Sequence, residues 1–261
     1  MSDLLLHIDD GIACLTINRP ERLNALTAEM LDTLQLRCRE IERTPDAHVV
    51  ILRGEGRAFC AGGDINAWAS HAPEQFARHW IRDGHLALDC LARLRQPVIA
   101  VLDGDVFGGG LELAACADYR IAEAHIRIGQ PEPALGIIPG WSGTQRAVRR
   151  FGAQLVRRMA LFGDVFSAQD AAALGLVDKV AETGTGLDTA RTLARTLRHR
   201  GPAATELTKM LINAAEGEER ERVLEALAGQ IAAAHPHLNH GLASFRAREK
   251  PDYWSNSNKE T

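Results

Sequence analysis

Apolar runs bounded by turn residues recur along the first hundred residues of the chain. The segments 4–8 and 12–17 flank the turn Asp9-Asp10-Gly11 and predict a β-hairpin. Residues 49–52 and 98–102 are almost unbroken apolar runs, which is typical of strands that are covered on both faces. The pattern therefore predicts a buried sheet with helices packed against it.

Apolar residues at helical spacing lie between these runs. Thr27 is a suitable N-cap for a helix whose buried stripe is predicted to be Leu31, Leu34, Cys38 and Ile41. The alternation of strands and helices indicates an α/β domain whose loops at strand ends build a site.

The C-terminal third has a different pattern. Long amphipathic helices are predicted from about 187 to 247, with breaks near Gly201-Pro202, Gly217 and Pro236. We therefore divide the chain into a core over 1–185 and a C-terminal helical region over 186–261, which we expect to pack on a neighbour.

Three consecutive glycines, Gly108 to Gly110, lie between the strand 98–102 and the apolar segment LELAACA. That segment suits a buried helix, so the glycines stand where a helix begins. The first N–H groups of a helix have no partner within it. We expect these backbone donors to point at whatever binds there.

Two glutamates follow these glycines. Glu112 lies in the first turn of the apolar helix, and Glu132 lies in QPEP, where two prolines restrict the backbone. Two carboxyl groups on rigid supports suit acid–base chemistry on one substrate. The alternative is that Glu112 caps its helix and Glu132 is a solvated loop residue.

Composition narrows the class of protein. The 261 residues carry 46% hydrophobic and 25% charged residues with a net charge of −4, which is ordinary for a globular enzyme and argues against general nucleic-acid binding. No apolar run is long enough to span a membrane. The five cysteines show no C-x-x-C pairing, and the first residues lack the pattern of a signal peptide, so we expect free thiols and a cytoplasmic location.

Other motifs carry less weight. His235, His237 and His240 lack accompanying carboxylates or cysteines, so we expect a helix end and no metal site. Ser142 lies in GWSG, which lacks the G-x-S-x-G pattern of a nucleophile elbow. The chain has neither a complete dinucleotide loop nor a GK[ST] motif, so we expect neither NAD nor ATP.

Five sequence blocks, in order and spacing, resemble the enoyl-CoA hydratase/isomerase (crotonase) superfamily. They are NRPERLNAL at 18–26, FCAGGD at 59–64, DGDVFGGGLELAACAD at 103–118, GQPEPALGIIPGWSGTQR at 129–146 and ALGLVDKV at 173–180. The resemblance implies an α/β spiral of ββα repeats. It also implies C-terminal helices that cover the site and join identical chains into trimers or hexamers.

The resemblance also implies roles for particular residues. The backbone N–H groups of Gly63 and Gly109 match the donors that bind a thioester oxygen. Glu112 matches the carboxylate that activates water, Glu132 matches the proton donor, and Gly140 matches a glycine whose backbone supports the water. Both acids together favour hydration of a trans-2-enoyl thioester by syn addition. The alternatives are a double-bond isomerase and a non-catalytic scaffold that binds a partner or RNA.

The resemblance implies that the acyl group is carried as a thioester of coenzyme A. Coenzyme A is then part of the substrate, and no separate cofactor is expected. Ala61 to Ile65, Asp64 among them, match the segment around the adenine and pantetheine, and Leu23 to Ala25 match backbone contacts near the phosphates. Pro133 and Trp141-Ser142 depart from the family pattern. We expect the indole of Trp141 either to restrict acyl length or to admit a polar or branched acid.

Overall fold

The computed structural model describes residues 3–218 and 220–254. Its first two strands, β1 (Leu4–Asp9) and β2 (Ile12–Ile17), pair antiparallel with Leu4 opposite Ile17. The predicted hairpin is confirmed. Asp10 and Gly11 both have positive φ angles, 49° and 79°, which a tight turn between twisted strands requires.

Most of the remaining strands run parallel. They are β3 (Val49–Gly54), β4 (Ala58–Cys60), β5 (Val98–Leu102), β6 (Asp105–Phe107), β7 (Tyr119–Glu123), β8 (Arg127–Gly129), β9 (Phe166–Ser167) and β10 (Lys179–Ala181). In the part of the chain that the structure describes, they form two sheets with the orders β1-β2-β3-β5-β7-β10 and β4-β6-β8-β9.

The two sheets show how the chain repeats itself. Each of the pairs β3/β4, β5/β6 and β7/β8 places its first strand in the larger sheet and its second in the smaller one. Equivalent strands of successive pairs lie side by side and parallel. Each pair is one turn of a spiral, as the family resemblance implied.

Helices separate many of the strands along the chain and follow the last of them. They are α1 (Ala28–Arg43), α2 (Ile65–Trp68), α3 (Pro73–Gln75), α4 (Arg82–Ala92), α5 (Gly109–Ala114), α6 (Arg146–Phe151), α7 (Ala153–Phe162), α8 (Ala168–Ala173), α9 (Gly186–Thr196), α10 (Pro202–Ala215), α11 (Arg220–Ala234) and α12 (Pro236–Ala247). Phe76–Ile81 forms a π-helix before α4, and 3₁₀ turns occur at Pro20–Arg22, Glu132–Leu135 and Leu197–His199.

The core explains the apolar patterns. Thr27 caps α1 by accepting a hydrogen bond from the N–H of Met30, and the predicted stripe of α1 is buried. All five residues of β5 are buried. One cluster of buried side chains joins α1 and α4 to one face of the larger sheet, and another joins α9 to Ile51, Ile99 and Ile121 on the other face. The central strands are therefore covered on both sides, as predicted.

The chain divides into two compact units, Met1–Lys209 and Met210–Thr261. This division falls later than the sequence boundary between 185 and 186, because α9 packs on β3, β5 and β7. The second unit contains α11 and α12, and His235 caps α12 by accepting a hydrogen bond from the N–H of His237. The predicted ranges include residues 1, 2, 219 and 255–261, which lie outside the described residues.

None of the helices in residues 3–218 and 220–254 combines the length and the apolar character that crossing a bilayer requires.

Candidate active site

Two backbone amides meet where β4 and β6 end. Leu26 hydrogen-bonds on either side of Gly63, through the carbonyl of Gly62 and the N–H of Asp64, so the N–H of Gly63 points away from Leu26. Gly109 is the first residue of α5, where an N–H has no intrahelical acceptor. A Cβ added to Gly109 would lie 3.3 Å from the nitrogen of Gly63. Neither amide donates to a protein acceptor among the described residues, so both are available to a ligand.

Glu112 is held from outside its own helix. It lies on α5 with 3% of its surface exposed, and Oε1 accepts hydrogen bonds from the N–H groups of Trp141 and Gly143, both at 2.7 Å. The alternative that Glu112 caps α5 is wrong, since the helix begins at Gly108 without a side-chain cap. Tertiary contacts with the later loop fix this carboxyl group.

Glu132 is also buried, with 8% of its surface exposed, so the alternative of a solvated loop acid is wrong. It opens the 3₁₀ turn after Pro131, and Oε1 accepts a hydrogen bond from Gln130 Nε2 at 3.1 Å. Oε2 is buried and has no partner among the described residues. A buried unsatisfied carboxyl oxygen is costly, so it indicates a place for a proton, a water or a substrate atom.

Burial alters the proton affinity of both acids, and the charge of Glu132 adds to the effect on Glu112. Burial, followed by the charge of Glu132, raises the pKa of Glu112 to about 8. Burial also raises the pKa of Glu132, against the effects of a backbone hydrogen bond and of the hydrogen bond from Gln130. Two interacting carboxyl groups titrate as a pair. The pair therefore holds a proton at neutral pH.

The glycine-rich turn after Glu132 brings the two acids together. A Cβ added to Gly143 would lie 2.7 Å from both Glu112 Oε1 and Gln130 Nε2, so only glycine leaves this space open. Gly140 lines the same cavity, but the backbone N–H groups that donate to Glu112 belong to Trp141 and Gly143. The structure thus places Gly140 in the site, and its role toward water stays a prediction.

Sequence reasoning missed the side chains that support this turn. Ser142 has a φ angle of 77°, which is unusual for a residue with a side chain, and its Oγ lies 3.0 Å from Nδ1 of His85. Arg146 is 1% exposed and donates from Nη2 to Asp89 at 2.6 Å. Both contacts join residues more than fifty positions apart, so no local pattern signals them.

The segments expected to bind coenzyme A lie side by side. The N–H of Ala61 donates to the carbonyl of Leu23 at 3.0 Å. Arg19 Nη1 donates both to the carbonyl of Ala25 and to Asp64, at 2.9 and 2.7 Å. Ile65 begins α2 and is 47% exposed. Asp64 is thus committed to a structural contact, while the exposed apolar surface of Ile65 is free to meet a ligand.

A cavity of about 100 Å³ contains the amides and acids. Its walls are mainly apolar and include Trp68, Phe76, Trp80, Ile81, Ile137 and Trp141. A larger cavity of about 470 Å³ lies near the amino ends of β2, β3 and β5. We place the chemistry in the smaller cavity because Arg95 and Arg198 in the larger one are engaged with backbone carbonyls and Asp10.

Two free amides can stabilise negative charge on a carbonyl oxygen, and two buried acids can transfer protons beside it. This combination is typical of an enzyme that moves protons next to a carbonyl group. Residues 7–256 match the family model for enoyl-CoA hydratase/isomerase. The chain is 31% identical to a crotonyl-CoA hydratase of Syntrophomonas wolfei, over 97% of this chain and 98% of the relative. It is 36% identical to a short-chain-enoyl-CoA hydratase of Clostridium acetobutylicum, over 82% of each chain.

Solved structures give the same result. An enoyl-CoA hydratase of Bacillus anthracis superposes with a TM-score of 0.79 at 31% identity, over 97% of this chain and 99% of that one. The chain belongs to the enoyl-CoA hydratase/isomerase family, and it is an enzyme with the fold of that family. The relatives favour hydratase over the isomerase and scaffold alternatives.

Proposed function

We propose that the protein adds water across the 2,3 double bond of a trans-2-enoyl-CoA thioester to give a 3-hydroxyacyl-CoA. The observation that carries this proposal is the pair of buried acids, Glu112 and Glu132, beside the free amides of Gly63 and Gly109. A double-bond isomerase needs only one proton-transferring acid, and a binding scaffold needs none.

The amides of Gly63 and Gly109 bind the thioester oxygen. As a bond forms at carbon 3, negative charge moves onto that oxygen, and the two N–H groups stabilise it. Loss of one donor of this kind costs about 3–4 kcal/mol of transition-state stabilisation. Backbone donors keep their charge distribution at every pH, so this contribution does not titrate.

The two acids divide the proton transfers. Glu112 accepts a proton from a water whose oxygen bonds to carbon 3, and Glu132 gives its proton to carbon 2. The hydrogen bonds from the turn favour the charged form of Glu112 and partly oppose the effect of burial on its pKa. In the reactive form of the pair the shared proton is on Glu132, and Glu112 is ionised and acts as the base. Oε2 of Glu132, buried without a partner in the described chain, is the position from which a proton can leave. Addition is syn if both acids face the same side of the double bond.

Coenzyme A enters as part of the substrate, beside Leu23, Ala25, Ala61, Asp64 and Ile65, and we expect no further cofactor. We also propose that the protein forms a homotrimer or homohexamer, that it is located in the cytoplasm, and that it binds no nucleic acid.

Crotonyl-CoA provides the test, since hydration removes the absorbance of its conjugated thioester. We expect turnover by the wild type and a fall of at least a hundredfold in Glu112→Gln and Glu132→Gln, at the lower end of what general acids and bases contribute. Binding of butanoyl-CoA, which has no double bond to hydrate, checks that both variants keep the site. Full turnover in either variant would show that the two-acid mechanism is wrong.

A further inference from the structure

Trp141 is fixed inside the cavity that holds the acids. Its side chain is 2% exposed, and Nε1 donates to the carbonyl of Trp80 at 2.9 Å. The two indole rings lie 4.9 Å apart between centroids. Trp80 belongs to the π-helix Phe76–Ile81, a wide helical turn that frequently occurs at functional sites. The indole of Trp141 therefore has one defined position.

The neighbouring helix leaves room for this ring. A Cβ added to Gly84 on α4 would come within 2.1 Å of Nε1 of Trp141, so any larger residue there would displace the indole. The position of the ring depends on a glycine that is distant in sequence.

Both rings stand against the amides that would hold the thioester. A Cβ added to Gly109 would lie 2.8 Å from Cζ3 of Trp141. A Cβ added to Gly63 would lie 2.6 Å from Cζ2 of Trp80 and 3.3 Å from Cη2 of Trp141. The space next to the reacting carbons is thus bounded by indole carbon atoms.

The remaining volume is small. The cavity measures about 100 Å³, whereas pockets for drug-sized ligands span about 300–1,000 Å³. Its walls are mainly apolar, so a polar group on the acyl chain would lose contact with water on entering. A cavity of this volume leaves little enclosed space for a long acyl chain.

We infer that Trp141, held by Trp80 and accommodated by Gly84, closes the acyl end of the site and restricts the substrate to short, apolar acyl groups. The inference rests on the proposed function for the location of the thioester. Trp141 departs from the family pattern, and the inference explains this departure by a restriction on acyl length. It does not explain it by recognition of a polar acyl group.

The test measures binding of saturated acyl-CoAs by calorimetry, which requires no turnover. Burying one methylene group strengthens binding about fourfold. We expect wild-type protein to bind octanoyl-CoA no more tightly than butanoyl-CoA, because the extra methylenes stay in water. In Trp141→Ala the preference for octanoyl-CoA should rise at least tenfold, and Trp141→Phe should lie between the two.

Phe162→Ala is the matched control, since it also removes an aromatic ring but at a residue 77% exposed at the end of α7. Its ratio of affinities should equal that of the wild type. If Trp141→Ala fails to fold by circular dichroism, Trp141→Leu takes its place, with a gain of at least fivefold expected.

Two results would overturn the inference. One is a wild type that already binds octanoyl-CoA at least tenfold more tightly than butanoyl-CoA, since the chain would then leave past the exposed Leu135 and Ile138. The other is an unchanged ratio in a folded Trp141 variant. Failure of the proposed function has a different signature, in which acyl-CoAs bind with the expected ratio and no enoyl-CoA is hydrated.

Discussion

Replacing Glu112 by glutamine should make the protein more stable and less active. In the folded protein the pKa of Glu112 is raised from 4.5 to about 8, mainly by burial and then by the charge of Glu132. Between these values the folded state binds more protons than the unfolded chain, so this residue makes stability fall as the pH rises. Glutamine stays neutral and removes that penalty.

The magnitude follows from the same pKa difference. Above pH 8, ionised Glu112 costs at most about 5 kcal/mol of folding free energy, and near pH 4.5 it costs almost nothing. Because Oε1 alone accepts the bonds from Trp141 and Gly143, a glutamine oxygen can accept both of them. At pH 9 we expect the free energy of unfolding of Glu112→Gln, measured by urea denaturation, to exceed that of the wild type by about 1–5 kcal/mol. At pH 5 we expect the two proteins to unfold at nearly the same urea concentration.

Glu123→Gln is the matched control. Glu123 is 5% exposed, and its two oxygens accept separate bonds from the N–H groups of Gly184 and Gly186, at 2.7 and 3.0 Å. A glutamine there must turn its NH₂ group toward one of these donors, so we expect loss of stability with turnover preserved. A stability difference between Glu112→Gln and the wild type that is the same at pH 5 and pH 9 would refute the reasoning.

The remaining predictions concern the reaction itself. The kcat/KM for crotonyl-CoA should be bell-shaped in pH, because activity needs one proton on the pair: it falls on the acid side as both carboxyls protonate and above about pH 8 as both ionise. A rate that still rises at pH 10 contradicts this. Gly109→Ala should lower kcat at least a hundredfold, since the new methyl group meets Trp141 and the nitrogen of Gly63. Gly229→Ala, with nothing within 4 Å on α11, is its control and should add about 0.5–1 kcal/mol of stability without loss of turnover. Equal turnover in both glycine variants would argue against the amide pair.

Local patterns in the sequence predicted most of the elements. The hairpin, the stripe of α1 and the buried strand β5 follow from spacing of apolar residues, because each element must bury one face or both. The spiral was implied only by resemblance, since its three strand pairs share geometry without sharing sequence.

The site was predicted in part. Glycines at 108–110 indicated free amides, and Glu112 and Glu132 were marked as acids by their apolar and proline-bounded surroundings. The supporting contacts could not be predicted. The hydrogen bond from Gln130 to Glu132 joins near neighbours but depends on the geometry of the turn. The hydrogen bond between His85 and Ser142 joins residues that are far apart in the chain.

The sequence by itself determined which backbone donors and which carboxyl groups the protein possesses, because glycine and glutamate carry those properties wherever they lie. Only the tertiary structure decided how those groups act. Burial raises the pKa of both acids, and the turn at Trp141 and Gly143 fixes one of them. The absence of a side chain at Gly84 leaves room for the indole of Trp141 beside Gly63 and Gly109. Proton affinity and cavity size depend on atoms brought together from distant parts of the chain. Their distances cannot be read from the positions of those residues along the sequence.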